Sequence, residues 1–150
     1  MPLHTIRTNS AHPDFVRLVQ ELDKYLALID GSEHAFYHQF NQIDHLNHVV
    51  ILYQDDEAVA CGAVKEIEPQ VMEVKRMFTD TAFRGRGYAT IVLDALEDWS
   101  KELGAHCCRL ETGKRMPDAV ALYQRNGYQI VPNYGQYIGV ENSLCFEKRL

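Results

Sequence analysis

The chain has 150 residues, 46% of them apolar and 24% charged, with a formal net charge of −6. That is enough chain for one globular domain with a real core, expected to span 1–150, and its acidity argues against nucleic acid as a partner. The apolar runs are too short to span a bilayer, and the first residues lack the basic and apolar regions of a signal peptide, so the expected location is the cytoplasm, with no membrane partner.

Taken in order, His4 to Thr8 reads as a short strand. Asn9 to Pro13 turns into a helix, with Pro13 in its first turn. Phe15, Leu18, Val19, Leu22, Tyr25, Leu26 and Ile29 then recur at helical spacing. Asp30-Gly31-Ser32 breaks that helix, and Ser32 is placed to cap a shorter one over Glu33 to Phe40. His34 and His38 lie four apart, a spacing that metal sites use, but no third ligand stands at a recognisable distance and no metal is expected. His48 to Gln54 and Ala58 to Glu66 read as a hairpin around Asp55-Asp56-Glu57. Val71 to Thr79 is a third strand, predicted to alternate strictly. Val71, Glu73, Lys75 and Met77 then share one face, and Met72, Val74, Arg76 and Phe78 the other. Glu73 is one of the few carboxylates placed inside a strand.

A second helix covers Tyr88 to Leu103, with Val92, Leu96, Trp99 and Leu103 on its apolar stripe and Glu97, Asp98, Lys101 and Glu102 elsewhere. Gly104 stops it. Cys107 to Glu111 is a further strand, and a strand–helix–strand crossover makes it parallel to Val71–Thr79. Thr112 to Met116 reads as a loop, and Pro117 opens a helix that Asn126-Gly127 ends. Tyr128 to Val131 and Ser143 to Lys148 are the last strands. All four cysteines fall in strand segments and none forms a C-x-x-C pair, so they are read as reduced.

The chain is organised around Arg84-Gly85-Arg86-Gly87-Tyr88-Ala89, which leaves a strand and opens a helix. The first turn of a helix has backbone N–H groups without partners and carries partial positive charge. Glycines let a ligand approach the main chain, and arginines fork onto phosphate oxygens. The natural guest is a pyrophosphate. The bland alternative is an ordinary turn with solvated arginines; the flanking strand and helix favour the anion site.

These residues match the Arg/Gln-x-x-Gly-x-Gly/Ala motif of the GNAT superfamily of acyl-CoA-dependent N-acyltransferases. A second stretch, Ala119-Val120-Ala121-Leu122-Tyr123-Gln124-Arg125-Asn126-Gly127-Tyr128, resembles that family's Ala-x-x-Leu-Tyr-x-x-x-Gly-Phe/Tyr helix end. The resemblance covers nearly the whole chain. It implies an α/β fold with a mixed, mostly antiparallel sheet, splayed at two central parallel strands and flanked by helices on both faces. It also implies acetyl-CoA as cosubstrate, its diphosphate on the N–H groups of Gly85 to Ala89 beside Arg84. The pantetheine arm would run along Met77, Phe78 and Thr79, with the Met77 N–H facing the thioester oxygen.

Glu73 stands at the offset of a general base in one branch of the family, and Tyr123 at the position of a tyrosine that protonates the departing thiolate. For Glu73 the alternative is a salt bridge with Lys75 or Arg76; for Tyr123 it is core packing. The expected acceptor is an amine of a small molecule or peptide, held among Tyr25, His34, Tyr37, His38, Tyr134 and Tyr137, in a monomer or homodimer. Rival outcomes are a protein-lysine acceptor, a longer acyl donor, or a non-catalytic acyl-CoA sensor.

Overall fold

Val49, Val50, Ile51 and Leu52 are all buried, although neighbours on a strand point to opposite faces. A strand of this kind is covered on both sides. The covering helices come from the two amphipathic stretches. A computed structural model describes residues 2–30 and 45–150 of the chain. In order it contains β1 (Leu3–Thr8), α1 (Pro13–Asp30), β2 (His48–Gln54), β3 (Glu57–Glu68), β4 (Val71–Thr79), α2 (Tyr88–Glu102), β5 (Cys107–Gly113), α3 (Pro117–Arg125), β6 (Gln129–Val131) and β7 (Ser143–Arg149). The expected helix over 33–40, with His34, Tyr37 and His38, lies outside the described residues.

The strands form one seven-stranded sheet in the order β1-β2-β3-β4-β5-β7-β6. On one face Phe15, Leu18 and Leu22 of α1 pack on Val49, Ile51, Cys61 and Phe78. The Tyr53 hydroxyl fastens the start of that helix by donating to Asp14 at 2.6 Å. On the other face Val92, Leu93 and Leu96 of α2, with Tyr123 of α3, pack on Val50, Leu52, Val64 and Val74. Among the pairs, β4–β5 is parallel and the rest are antiparallel. The parallel ladder joins only Val71–Glu73 to Cys107–Arg109. Beyond Glu73 the two strands diverge, and the sheet splays there as expected.

The strict alternation expected of β4 is not what the structure shows. Cys61 pairs with Phe78 but Ala63 with Lys75, so Gly62 alone faces both Arg76 and Met77. This is a β-bulge, and Arg76 sits in it at φ 58. The extra residue slips the side chains by one position. Met77 joins Met72 and Val74 against α2, while Arg76 reaches Asp23 on α1. A Cβ added to Gly62 would stand 2.5 Å from Met77 Sδ, 2.8 Å from Leu96 Cδ1 and 3.1 Å from Val92 Cγ1. Overpacking of this kind costs about 1–3 kcal/mol. Gly62→Ala is therefore expected to lower the melting temperature by roughly 2–12 °C, at about 2–4 °C per kcal/mol for a domain of this size, read by thermal unfolding.

Three smaller corrections have local causes. Leu103 caps α2 rather than lying on its stripe, and is exposed. Glu97 turns inward: it is buried, and accepts from Tyr128 Oη at 2.9 Å and Lys148 Nζ at 2.8 Å. Two donors from outside the helix make burial of its carboxylate tolerable. Thr112 and Gly113 extend β5 because Leu144 and Ser143 pair with them. All four cysteines are free, and burial pushes the Cys61 thiol up to about 12 and Cys108 up to about 11, so neither is a thiolate at neutral pH.

Candidate active site

The splay and the start of α2 open into one cleft of about 510 Å3. Its walls bring together Glu73, Met77, Phe78, Thr79, Arg84, Gly85, Gly87, Tyr88, Ala89 and Tyr123, which the sequence spreads over 51 positions. Arg86 lies off that wall.

The anion end is built from backbone. Gly87 is the N-cap of α2 at φ 79 and, as a glycine, brings no side-chain cap of its own. Gly85 is left-handed too, at φ 77. Among the described residues a Cβ at either position would meet nothing within 4 Å, so they leave the space above the turn open. An uncapped helix start beneath open space suits a diphosphate, and these residues fit the cosubstrate implied by the sequence motif. The two arginines are engaged with rings. Arg84 lies 4.7 Å from the Tyr25 ring centroid and 5.7 Å from that of Phe78, and its Nε donates to the Thr79 carbonyl at 3.2 Å. Arg86 lies 5.3 Å from the Phe83 centroid and donates to Gln54 at 3.4 Å. Arg84 thus ties the turn to α1, a link the motif alone does not announce.

At the splay, Glu73 is 5% exposed. Its Oε2 accepts from Tyr134 Oη at 2.6 Å and its Oε1 from Lys75 Nζ at 3.3 Å. The ion pair with Lys75 is thus present, on a residue that also lines the cleft. The Tyr134 contact depends on a clasp the sequence analysis missed. Asn133 Nδ2 donates to the carbonyls of Tyr137, Val140 and Ser143 at 3.0, 3.1 and 3.2 Å, which folds the loop back toward β4. The signal was an asparagine in a Pro/Gly loop, too common to single out.

Tyr123 is buried between Tyr128 and Phe146, with ring centroids 5.9 and 6.0 Å away. Burial, aided by the charge of Glu111, raises its phenol above the ordinary value of 10, so it stays protonated at neutral pH. Tyr25 and Tyr137 also line the cleft. Among the described residues, no cluster of three His, Cys, Asp or Glu side chains is placed to hold a metal, and no helix is long and apolar enough to cross a membrane.

Residues 15–128 match the acetyltransferase (GNAT) family. The chain is 30% identical over 153 aligned residues to an IAA acetyltransferase of Azospirillum brasilense, covering 100% of both. A Klebsiella pneumoniae protein provisionally described as an acyl-CoA N-acyltransferase superposes with a TM-score of 0.83 at 29% identity, over 99% of this chain and 97% of that one. The fold of a GNAT acetyltransferase from Elizabethkingia anophelis, solved with acetyl-CoA bound, is shared at a TM-score of 0.69 and 15% identity, over 99% and 98% of the two chains. With an uncapped helix start, a splayed sheet and this match over most of its length, the chain belongs to the GNAT family of acetyl-CoA-dependent acetyltransferases.

Proposed function

We propose that the protein moves an acetyl group from acetyl-CoA directly to the amine of a small molecule or peptide, with both substrates bound at once. The observation that carries this reading is a continuous cleft among the described residues that takes in both the open start of α2 and Glu73. Acetyl-CoA supplies an acyl group already activated as a thioester. The amides at the start of α2 bind its diphosphate, and the diverging edge of β4 pairs with its arm. The bulge at Arg76 sets the direction of the Met77 amide, which donates to the carbonyl oxygen as negative charge gathers there.

Glu73 takes a proton from the incoming ammonium, freeing the lone pair for attack. The new bond joins that nitrogen to the carbonyl carbon, and the carbon–sulfur bond breaks. Tyr123, which remains protonated, donates to the departing sulfur; the second proton of the attacking nitrogen is lost as the amide forms and restores the Tyr123 phenol, and Glu73 passes its own proton to solvent. The amine is itself the nucleophile, so no acyl-enzyme is required.

The test is release of free thiol when the protein is mixed with acetyl-CoA and a panel of amines. Amine-dependent thiol release with a matching N-acetyl product is expected. Stabilisation by acetyl-CoA without thiol release from any small, peptide or protein amine would instead identify a sensor.

A further inference from the structure

The strand that carries Glu73 also carries a guanidinium unused by the chemistry above. The Arg76 side chain is 2% exposed and runs from the bulge to α1, where its Nη2 donates to Asp23 Oδ1 at 2.7 Å. Its Nε and Nη1 are buried and have no acceptor among the described residues. A guanidinium has five N–H donors and cannot shed its charge. Buried polar groups are nearly always paired, so two orphans on one side chain call for an explanation. The backbone adds a second anomaly, because φ 58 is a conformation that glycine adopts far more easily than arginine. Strain of this kind gathers at ligand clamps.

The surroundings indicate the ligand. Arg76 belongs to the wall of the cleft, with Glu73 and Lys75 from its own strand and Leu22, Tyr25 and Leu26 from α1. Lys75 is directed at Glu73. Asp23 meets the guanidinium with one oxygen, from a side chain 33% exposed. It occupies the position of an acidic ligand without satisfying the cation.

We propose that Arg76 is an anion subsite in the acceptor half of the cleft, and that the acceptor is an amine that also bears a carboxylate. The ligand's carboxylate displaces or joins Asp23 and supplies the oxygen atoms that Nε and Nη1 lack, through short charge-assisted hydrogen bonds. Glu73 then faces the amine end of the same molecule. This rests on the acetyl-transfer reading and narrows its acceptor class.

The test compares amino acids with their primary amides as acceptors, at saturating acetyl-CoA. For at least one pair, kcat/KM for the acid is expected to exceed that for the amide tenfold or more. Arg76→Gln should bring that ratio near one, and Arg76→Lys should retain part of it. A wild-type ratio at or below one for every pair overturns the proposal, as does a ratio that Arg76→Gln leaves unchanged. If Arg76→Gln does not fold, the wild-type ratios decide.

A second readout needs no turnover. The N-acetyl derivatives of those acids and of those amides are titrated into the CoA-loaded protein by calorimetry. Binding of an acid but not its amide supports the subsite even if no amine is acetylated, in which case only the transfer reading fails. Acetyl transfer without preference for the acid in either measurement sinks the subsite and leaves the transfer reading intact.

Discussion

Gly87→Ala is expected to weaken acetyl-CoA binding by about 100-fold or more, equivalent to roughly 2.7 kcal/mol. Gly87 is the left-handed N-cap of α2, and among the described residues nothing stands within 4 Å of where its Cβ would be. The added methyl therefore meets no side chain. It enters the open space over the helix start, where the proposed diphosphate site brings the ligand close to the amides. It also opposes the backbone, since an L-residue at φ 79 is strained by about 1–2 kcal/mol.

A control separates the two effects. Gly104, past the far end of α2, has φ 88 and equally open surroundings. Gly104→Ala should carry a similar folding penalty and leave acetyl-CoA affinity unchanged. Ligand at 100 times its dissociation constant should stabilise the wild type by about 2.7 kcal/mol. Thermal shift then reads both variants: the acetyl-CoA-dependent shift persists in Gly104→Ala and largely disappears in Gly87→Ala. Equal shifts in the two would place the diphosphate elsewhere.

The elements of this fold are legible in the sequence because each is punctuated locally. Pro13 and Pro117 open helices, Gly104 closes one, and a strand leads into the Gly85–Gly87 turn. The parallel pairing of β4 with β5 follows from the handedness of the crossover. What could not be read depends on register between distant strands. The bulge at Arg76 exists because Gly62, fourteen residues earlier, leaves room for Met77. Neither residue is unusual within its own segment, so the period-2 pattern put Arg76, Met77 and Phe78 on the wrong faces.

Glu97 was misplaced for a related reason. Its partners, Tyr128 and Lys148, lie 31 and 51 residues away. The candidate site divides in the same manner. The turn and the second motif are contiguous and could be recognised, whereas the Tyr134 contact to Glu73 spans 61 residues and depends on the Asn133 clasp. Likewise, the stacking of Arg84 on Tyr25 depends on how α1 crosses the sheet.

Glu73→Gln is expected to lower kcat by roughly 10²–10⁴-fold while acetyl-CoA affinity stays near that of the wild type, since general-base contributions fall in that range. Glutamine keeps the size of the side chain and can still meet Tyr134 and Lys75, so the fold should survive, which thermal unfolding verifies. The pH profile separates catalysis from ion pairing. Without a base in the cleft, the reaction draws on amine already deprotonated in solution. Log kcat/KM of the variant should then rise with pH at a slope of about one until the amine's own pKa is reached. On the proposed mechanism the wild type removes the proton within the cleft and should depend less on pH over the same range.

Tyr134→Phe removes the 2.6 Å hydrogen bond but leaves the carboxylate and its Lys75 contact in place. It should slow turnover less than Glu73→Gln, because the carboxylate itself remains in the cleft. If Glu73→Gln instead retains full rate and an unaltered profile, the carboxylate serves only its ion pair with Lys75, and deprotonation of the amine belongs to solvent.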